Sequence, residues 1–171
     1  MRAIPLPIQT ERLLVRSFVA DADSRAMVEV YCDPEVMRFI PGGALADNRA
    51  VQSALEAHSR AQESHGFSSW AVVERENERV IGDVGFGIFE PTGDIELGYT
   101  LARDCWGRGY ATEAAAACLV AGLRHLGAPR IVAVVDAENE ASMRVAERIG
   151  MARIETIKAH RRPHVLFAAR S

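Results

Sequence analysis

Between residues 69 and 101 three stretches of strand character follow one another with only short turns between them, and from Tyr110 onward helical and strand patterns alternate. No other feature of the chain constrains its fold as much. Consecutive strands joined by tight turns pair antiparallel, whereas a strand-helix-strand passage builds a parallel pair. The three strands are expected over 69–74, over 79–86 after a turn at Asn77-Glu78, and over 95–101 after the turn Glu90-Pro91-Thr92-Gly93-Asp94. Gly82 and Gly85 predict a bend or bulge in the middle one. A long helix follows over 110–126, stopped by Gly127 with Pro129 beyond it. The apolar run 131–135 reads as a strand buried on both faces. Asn139 is placed to cap a helix ending at Gly150, and two strands, near 153–158 and 165–169, come last.

Upstream, residues 13–18 read as a first strand. Asp21 or Asp23 is placed to cap a helix through Tyr31, and Asp33-Pro34 to open a short second one that ends at Pro41-Gly42-Gly43. A third is expected from Asp47 to Glu63, where Val51, Ala54, Leu55 and Ala61 recur at helical spacing. The order β-α-α-β-β-β-α-β-α-β-β predicts an α/β fold of mixed α+β character, with helices on both faces of the sheet. A chain of 171 residues suits one domain, 1–171.

A formal charge of −3 provides no basic field for a nucleic-acid backbone, so no nucleic-acid partner is expected. No apolar run approaches the ~20 residues of a membrane span, and Met1-Arg2-Ala3-Ile4-Pro5 lacks the apolar core of a signal peptide. Cys32, Cys105 and Cys118 are odd in number and lack metal-ligand spacing, and the five histidines are scattered. The expectation is a cytoplasmic protein with no disulfide framework, no metal and no membrane partner. Trp70, Phe86 and Phe89 are expected to pack the core or line a cleft. Gly98 and Gly122 read as permitting close packing.

The informative segment is Trp106-Gly107-Arg108-Gly109-Tyr110-Ala111-Thr112-Glu113, a glycine loop that opens the long helix. The first amides of a helix lack partners and the dipole there is positive, so a phosphate docks readily. Gly107 and Gly109 let the backbone turn sharply, and Arg108 can add a charge-assisted contact. Spacing alone leaves a plain glycine-rich turn equally open. A dinucleotide-binding loop fits less well, because Thr112 stands where that fingerprint wants a third glycine and several residues separate Leu101 from Gly107.

The run Trp106-Gly107-Arg108-Gly109-Tyr110-Ala111-Thr112-Glu113-Ala114 resembles the acetyl-CoA pyrophosphate loop of the GNAT acetyltransferase superfamily, and is similar to its Rim-type branch of ribosomal-protein N-terminal acetyltransferases and their relatives. Further matches come in the same order: Thr10-Glu11-Arg12-Leu13-Leu14-Val15-Arg16, Asp33-Pro34-Glu35-Val36-Met37, Ile81-Gly82-Asp83-Val84-Gly85-Phe86, and Asn139-Glu140-Ala141-Ser142 followed by Ile149-Gly150-Met151. Together they span almost the whole chain. The resemblance implies a central strand pair that splays into a V, with the pantetheine of acetyl-CoA against the backbone of Tyr99, Thr100 and Leu101. It places the pyrophosphate on the amides of Gly107, Arg108, Gly109, Tyr110, Ala111 and Thr112. Asn139 is either a helix cap or a ligand of coenzyme A. Tyr110 is expected to cover the cofactor.

Such an enzyme moves an acetyl group from a thioester to a primary amine, either a small molecule or a protein N-terminus. α-Amino groups titrate near ~8 and lysine near ~10.4, so a base must take a proton before attack. By resemblance Glu96 is the candidate base, against the alternative of a structural carboxylate paired with an arginine. The departing thiolate needs a proton or hydrogen-bond donor. Many superfamily members use a tyrosine where this chain has Ala146, while the Rim-type branch shows serine at the position of Ser142. Ser142 is therefore the candidate acid, or else it only bonds free amides in its helical turn. The sequence leaves the oligomeric state open, a homodimer included. The competing reading is a non-catalytic acyl-CoA-binding sensor on the same fold.

Overall fold

The computed structural model describes residues 3–170; Met1 and Arg2, part of the segment read for a signal peptide, lie outside the described residues, as does Ser171. Eight strands form one mixed sheet in the order β1-β2-β3-β4-β5-β6-β8-β7. They are β1 (Ile8–Gln9), β2 (Leu13–Arg16), β3 (Ser69–Glu74), β4 (Arg79–Phe89), β5 (Asp94–Leu101), β6 (Arg130–Asp136), β7 (Ala152–Ala159) and β8 (Arg162–Arg170). Four helices accompany them: α1 (Ala20–Tyr31), α2 (Asn48–His65), α3 (Tyr110–His125) and α4 (Glu140–Arg148). The α/β class and the order expected from the sequence are observed, with the two-residue β1 added at the sheet edge.

β3, β4 and β5 form the antiparallel meander that the short turns require. The bulge expected from the glycines falls at Gly82, where the register with β3 shifts between Val72 and Val73. A Cβ on Gly82 would lie 2.1 Å from the Thr100 carbonyl oxygen, and one on Gly85 2.0 Å from that of Ser68. Among the described residues β5 and β6 form the one parallel pair, and α3 supplies the crossover between them. Successive β4 side chains take opposite faces. Asp83 turns toward Tyr31 of α1, while Phe86 packs on α3 at Gly122, where a Cβ would come within 2.6 Å of the phenylalanine ring. Trp70, Phe86 and Phe89 are all buried, so their place is the interior and not a cleft. Cys118 is a fully buried free thiol on the inner face of α3.

Two local expectations are corrected. The N-cap of α1 is Val19, not Asp21 or Asp23; Asp23 lies inside the first turns, accepts the Val19 amide and holds Arg16 at 2.7 Å. After Asp33-Pro34 the chain makes only a 3-10 turn, Val36–Phe39, because Pro41 and two left-handed glycines follow too soon for an α-helix. Asp47 and Asn139 cap α2 and α4 through bonds to the amides of Ala50 and Ser142. Among the described residues no helix is long and apolar enough to cross a membrane.

Asp83 is the costly residue of this interior. Burial drives its carboxyl up to about 6, against the hydroxyls of Ser69, Thr100 and Tyr31 that hold it down, and its Oδ1 has no hydrogen-bond partner. A carboxyl raised in the folded state binds its proton more tightly there than in the unfolded chain. Stability therefore falls as pH rises from about 4 through about 6 and stays lowered above that. Asp83→Asn removes this loss. Thermal melts should show the variant more stable than the parent at pH 8, with the difference shrinking or reversing at pH 4.

Candidate active site

β5 and β6 are paired at only two positions, Ile95 with Ile131 and Glu96 with Val132. Beyond them the strands separate, and the backbone edges of β5 and β6 that face each other are left unpaired. The Thr100 carbonyl lies against Gly82 of β4, so by strand alternation the amides of Tyr99 and Leu101 face the opening. Leu101 is partly spoken for: its carbonyl accepts the Trp106 indole N–H at 2.9 Å. The expected strip Tyr99–Leu101 is thus narrower than the sequence suggested, with Thr100 turned toward β4.

Glu96 sits at the crotch of this V. Its carboxylate accepts the backbone N–H of Val134, a group that strand separation leaves without a partner in β5. Burial pushes the carboxyl up to about 7, and the Val134 amide only partly offsets it. Among the described residues no arginine pairs with it, and Arg130 at the start of β6 is held by Asp94 at 2.6 Å. The reading of Glu96 as a structural ion-pair carboxylate therefore fails.

Across the opening, the Tyr99 hydroxyl donates to Ser142 Oγ at 2.9 Å. Tyr99 comes from β5 and Ser142 from the first turn of α4, so the bond spans the splayed pair. Ser142 is held there by the Asn139 side chain, which accepts its amide at 3.1 Å. Asn139 is thus observed as a helix cap. Ala146, one turn further on, is buried. Nothing in the sequence pattern announced the Tyr99–Ser142 pair, because it joins residues 43 apart.

The glycine loop is built as the helix-terminus argument requires. Gly107 and Gly109 take left-handed φ of 73° and 79°, and a Cβ on Gly107 would meet nothing within 4 Å. Gly109 caps α3 without a side chain, and the first helical amide bond runs from Glu113 to Gly109. The amides of Tyr110, Ala111 and Thr112 consequently lack helical partners and are free for an anion.

Two sequence expectations change here. The Tyr110 ring is buried, not spread over the loop, and lies between the guanidinium groups of Arg12 at 4.6 Å and Arg108 at 4.8 Å, its hydroxyl bonded to Glu74. Arg108 reaches Glu74 at 3.2 Å, so in this structure its charge is directed inward as well as toward the loop. Only the backbone of Tyr110 is presented to a ligand.

Glu113 fastens the loop to the start of the chain. Its carboxylate accepts the Thr10 hydroxyl at 2.6 Å, the Arg12 amide at 2.8 Å and Arg12 Nε at 2.7 Å, while Arg12 Nη1 reaches the Arg108 carbonyl at 2.9 Å. The segments 10–16 and 106–114, which carry two of the separate resemblances, are therefore one structural unit. This was legible only as two separate matches.

The fold and this site define an acyl-group transferase, and comparison with known proteins agrees. The family model described as an acetyltransferase (GNAT) domain matches residues 12–152. The chain belongs to the GNAT acetyltransferase family. It is similar to the Bacillus subtilis (strain 168) protein YkkB, 32% identical over 165 residues that cover 95% of this chain and 94% of that one. It is likewise similar to YnaD of the same organism, named an uncharacterized N-acetyltransferase, 32% identical over 85% of this chain and 82% of YnaD. Among solved structures, a GNAT-family acetyltransferase from Bacillus anthracis superposes with a TM-score of 0.83 at 27% identity, covering 96% of this chain and 98% of the other.

Removing the Glu113 carboxylate would leave the Arg12 amide without its acceptor and the Thr10 hydroxyl with only the Leu13 carbonyl, at 3.1 Å. Charge-assisted bonds of this kind contribute roughly 1.5–3 kcal/mol, less where solvent screens Arg12. Glu113→Ala should lower unfolding stability in urea by about 1–2 kcal/mol. Hydrogen exchange should quicken first in the amides of residues 107–113, ahead of the sheet.

Proposed function

We propose that this acetyltransferase takes the acetyl group of acetyl-CoA and delivers it to a primary amine by direct attack on the thioester. The observation that carries the reading is Glu96, an arginine-free carboxyl raised to about 7 at the fork of the splayed strands. A base of that pKa is about half ionised at neutral pH, where it can still accept a proton from an ammonium. Its bond to the Val134 amide aims the carboxylate across the opening.

The donor set fits acetyl-CoA. Three helical amides without partners, two left-handed glycines and the nearby guanidinium of Arg108 suit a diphosphate, and the unpaired edge at Tyr99 suits an amide-bearing chain. Bound there, acetyl-CoA supplies an acyl group activated as a thioester. The residues on the opposite side of the opening then bear on thiol departure. Tyr99 donates to Ser142, which leaves the serine's own hydrogen free to point into the V. Tyr99 is thus a positioning residue for Ser142, and the phenol absent at Ala146 arrives from β5 instead of from α4. Burial raises the Tyr99 pKa, so at neutral pH it stays protonated and keeps donating.

The amine is a small molecule or a protein N-terminus, and the resemblance of the opening strand to the Rim-type branch supports the latter. Residues 1–171 act as one catalytic domain in this reading, with no nucleic-acid partner. Free thiols at Cys32, Cys105 and Cys118 suit a reducing cytoplasm.

Acetyl transfer to a panel of amines, followed by mass spectrometry, tests the reading. For the wild type kcat/KM should rise with pH through about 7 as Glu96 loses its proton. Glu96→Gln should lower kcat by roughly 10²–10⁴-fold, the usual contribution of a positioned base, and abolish that limb. An unchanged pH profile would remove Glu96 from the role. Ser142→Ala and Tyr99→Phe should each reduce kcat, and the double variant should be little worse than Ser142→Ala alone, since the two act as a unit.

A further inference from the structure

Gly98 was expected to permit close packing, and the structure shows the opposite. A Cβ on Gly98 would meet nothing within 4 Å, and the same holds for Gly87. Neither is among the glycines with positive φ, and both are exposed. Contrast Gly82, Gly85 and Gly122, where an added Cβ would fall within 2.1, 2.0 and 2.6 Å of a neighbour. Glycine inside a strand is destabilising by roughly 0.5–1 kcal/mol relative to alanine, so two such residues weaken the sheet without serving backbone or packing.

Their placement is specific. The register of β4 with β5 is unbroken from Gly82–Leu101 to Phe89–Asp94, so paired residues share a face. Gly87 stands directly opposite Glu96, and Gly98 lies two residues along the same strand, so both flank Glu96 on its own face. Further along that face Thr100 is opposite Asp83, and there Tyr31 of α1 covers the sheet. The covered part ends where the glycines begin. What remains is a strip of bare, exposed backbone beside Glu96, with side-chain neighbours missing across at Gly87, about 5 Å away, and along the strand at Gly98, about 7 Å away, while Val132 of β6 stands on its other side.

We infer that this strip is the acceptor's seat, and that it selects a primary amine carried on a branched carbon, such as the α-amino group of an amino acid or peptide. The inference rests on Glu96 as the base. With the nitrogen at Glu96, the carbon that bears it lies over the strip. An unbranched chain needs only a width that alanine side chains would also leave, whereas substituents on that carbon need the room that both missing Cβ atoms clear. Gly87 and Gly98 are therefore specificity-determining positions that touch the acceptor by having no side chain.

The test compares the full-length chain with its Gly87→Ala, Gly98→Ala and Gly98→Val variants. Since an added Cβ has space and an ordinary φ, the alanine variants should melt at or above the parent temperature. Steady-state acetylation is measured with an unbranched alkylamine, glycinamide, alaninamide, valinamide and a short peptide. The parent should prefer the branched amines, and the ratio of kcat/KM for valinamide over the alkylamine should drop at least tenfold in Gly98→Val and severalfold in the alanine variants. A parent that prefers the unbranched amine, or a ratio that the variants leave unmoved, would overturn the inference while leaving acetyl transfer and Glu96 intact. Failure of Glu96→Gln to alter the pH profile would instead strike the base assignment, and turnover of no amine at all would remove both.

Discussion

The site exists because β5 and β6 stop pairing after Glu96 and Val132. A parallel pair that continued would have consumed the Val134 amide and the open edge at Tyr99 in ladder bonds. Separation leaves these polar groups needing partners, and buried backbone groups without partners are expensive. The fold answers part of that need itself: Glu96 takes the Val134 amide, Trp106 takes the Leu101 carbonyl, and the Tyr99 hydroxyl reaches over to Ser142. The unmet remainder is what an extended, amide-bearing ligand would complete. The same geometric event thus raises Glu96 by placing it between strands and creates the cleft it serves.

Holding a glycine loop with several unpaired amides at one end of that cleft requires an anchor from elsewhere. Glu113 and Arg12 provide it by tying the first turn of α3 to the start of β2, while Arg12 and Arg108 enclose the Tyr110 ring. The acidic residue of this first turn is spent on Thr10 and Arg12 and does not cap its own helix. Were it to fold back onto the amides of residues 110–112, it would compete with any phosphate there. The anchor therefore orders the loop and, by occupying Glu113, keeps the loop's amides available.

Most of the architecture was legible in the sequence because it rests on local periodicity and punctuation. The span of β3, the start of α2 at Asp47, the cap at Asn139, the glycine end of α3 and the doubly buried β6 follow from patterns a few residues long. The errors occurred where a distant partner decided the outcome. Asp23 reads as a cap until Arg16 claims it, and Tyr110 reads as a lid until Glu74 and two arginines draw it inside. Asp83, Tyr31 and the Tyr99–Ser142 bond left no local signal, since each depends on which strands and helices become neighbours. Gly98 was misread for a related reason: a glycine in sequence does not say whether something is pressed against it.

Two desolvated carboxyls lie on one face of the sheet, Asp83 buried and Glu96 half-buried, and comparison of them shows why only one is suited to chemistry. Burial raises both, Asp83 to about 6 and Glu96 to about 7. Asp83 is enclosed by the hydroxyls of Ser69, Thr100 and Tyr31 beneath α1, so a proton it gains or loses has no route to a substrate. Glu96 has bare glycine across from it on β4 and two residues along its own strand, and a single backbone donor that leaves the rest of its carboxylate unengaged. A raised pKa alone marks a desolvated group. Combined with an open approach, it marks a group that can exchange a proton with a visitor, and on this sheet the two conditions meet only where α1 ends and the glycines begin.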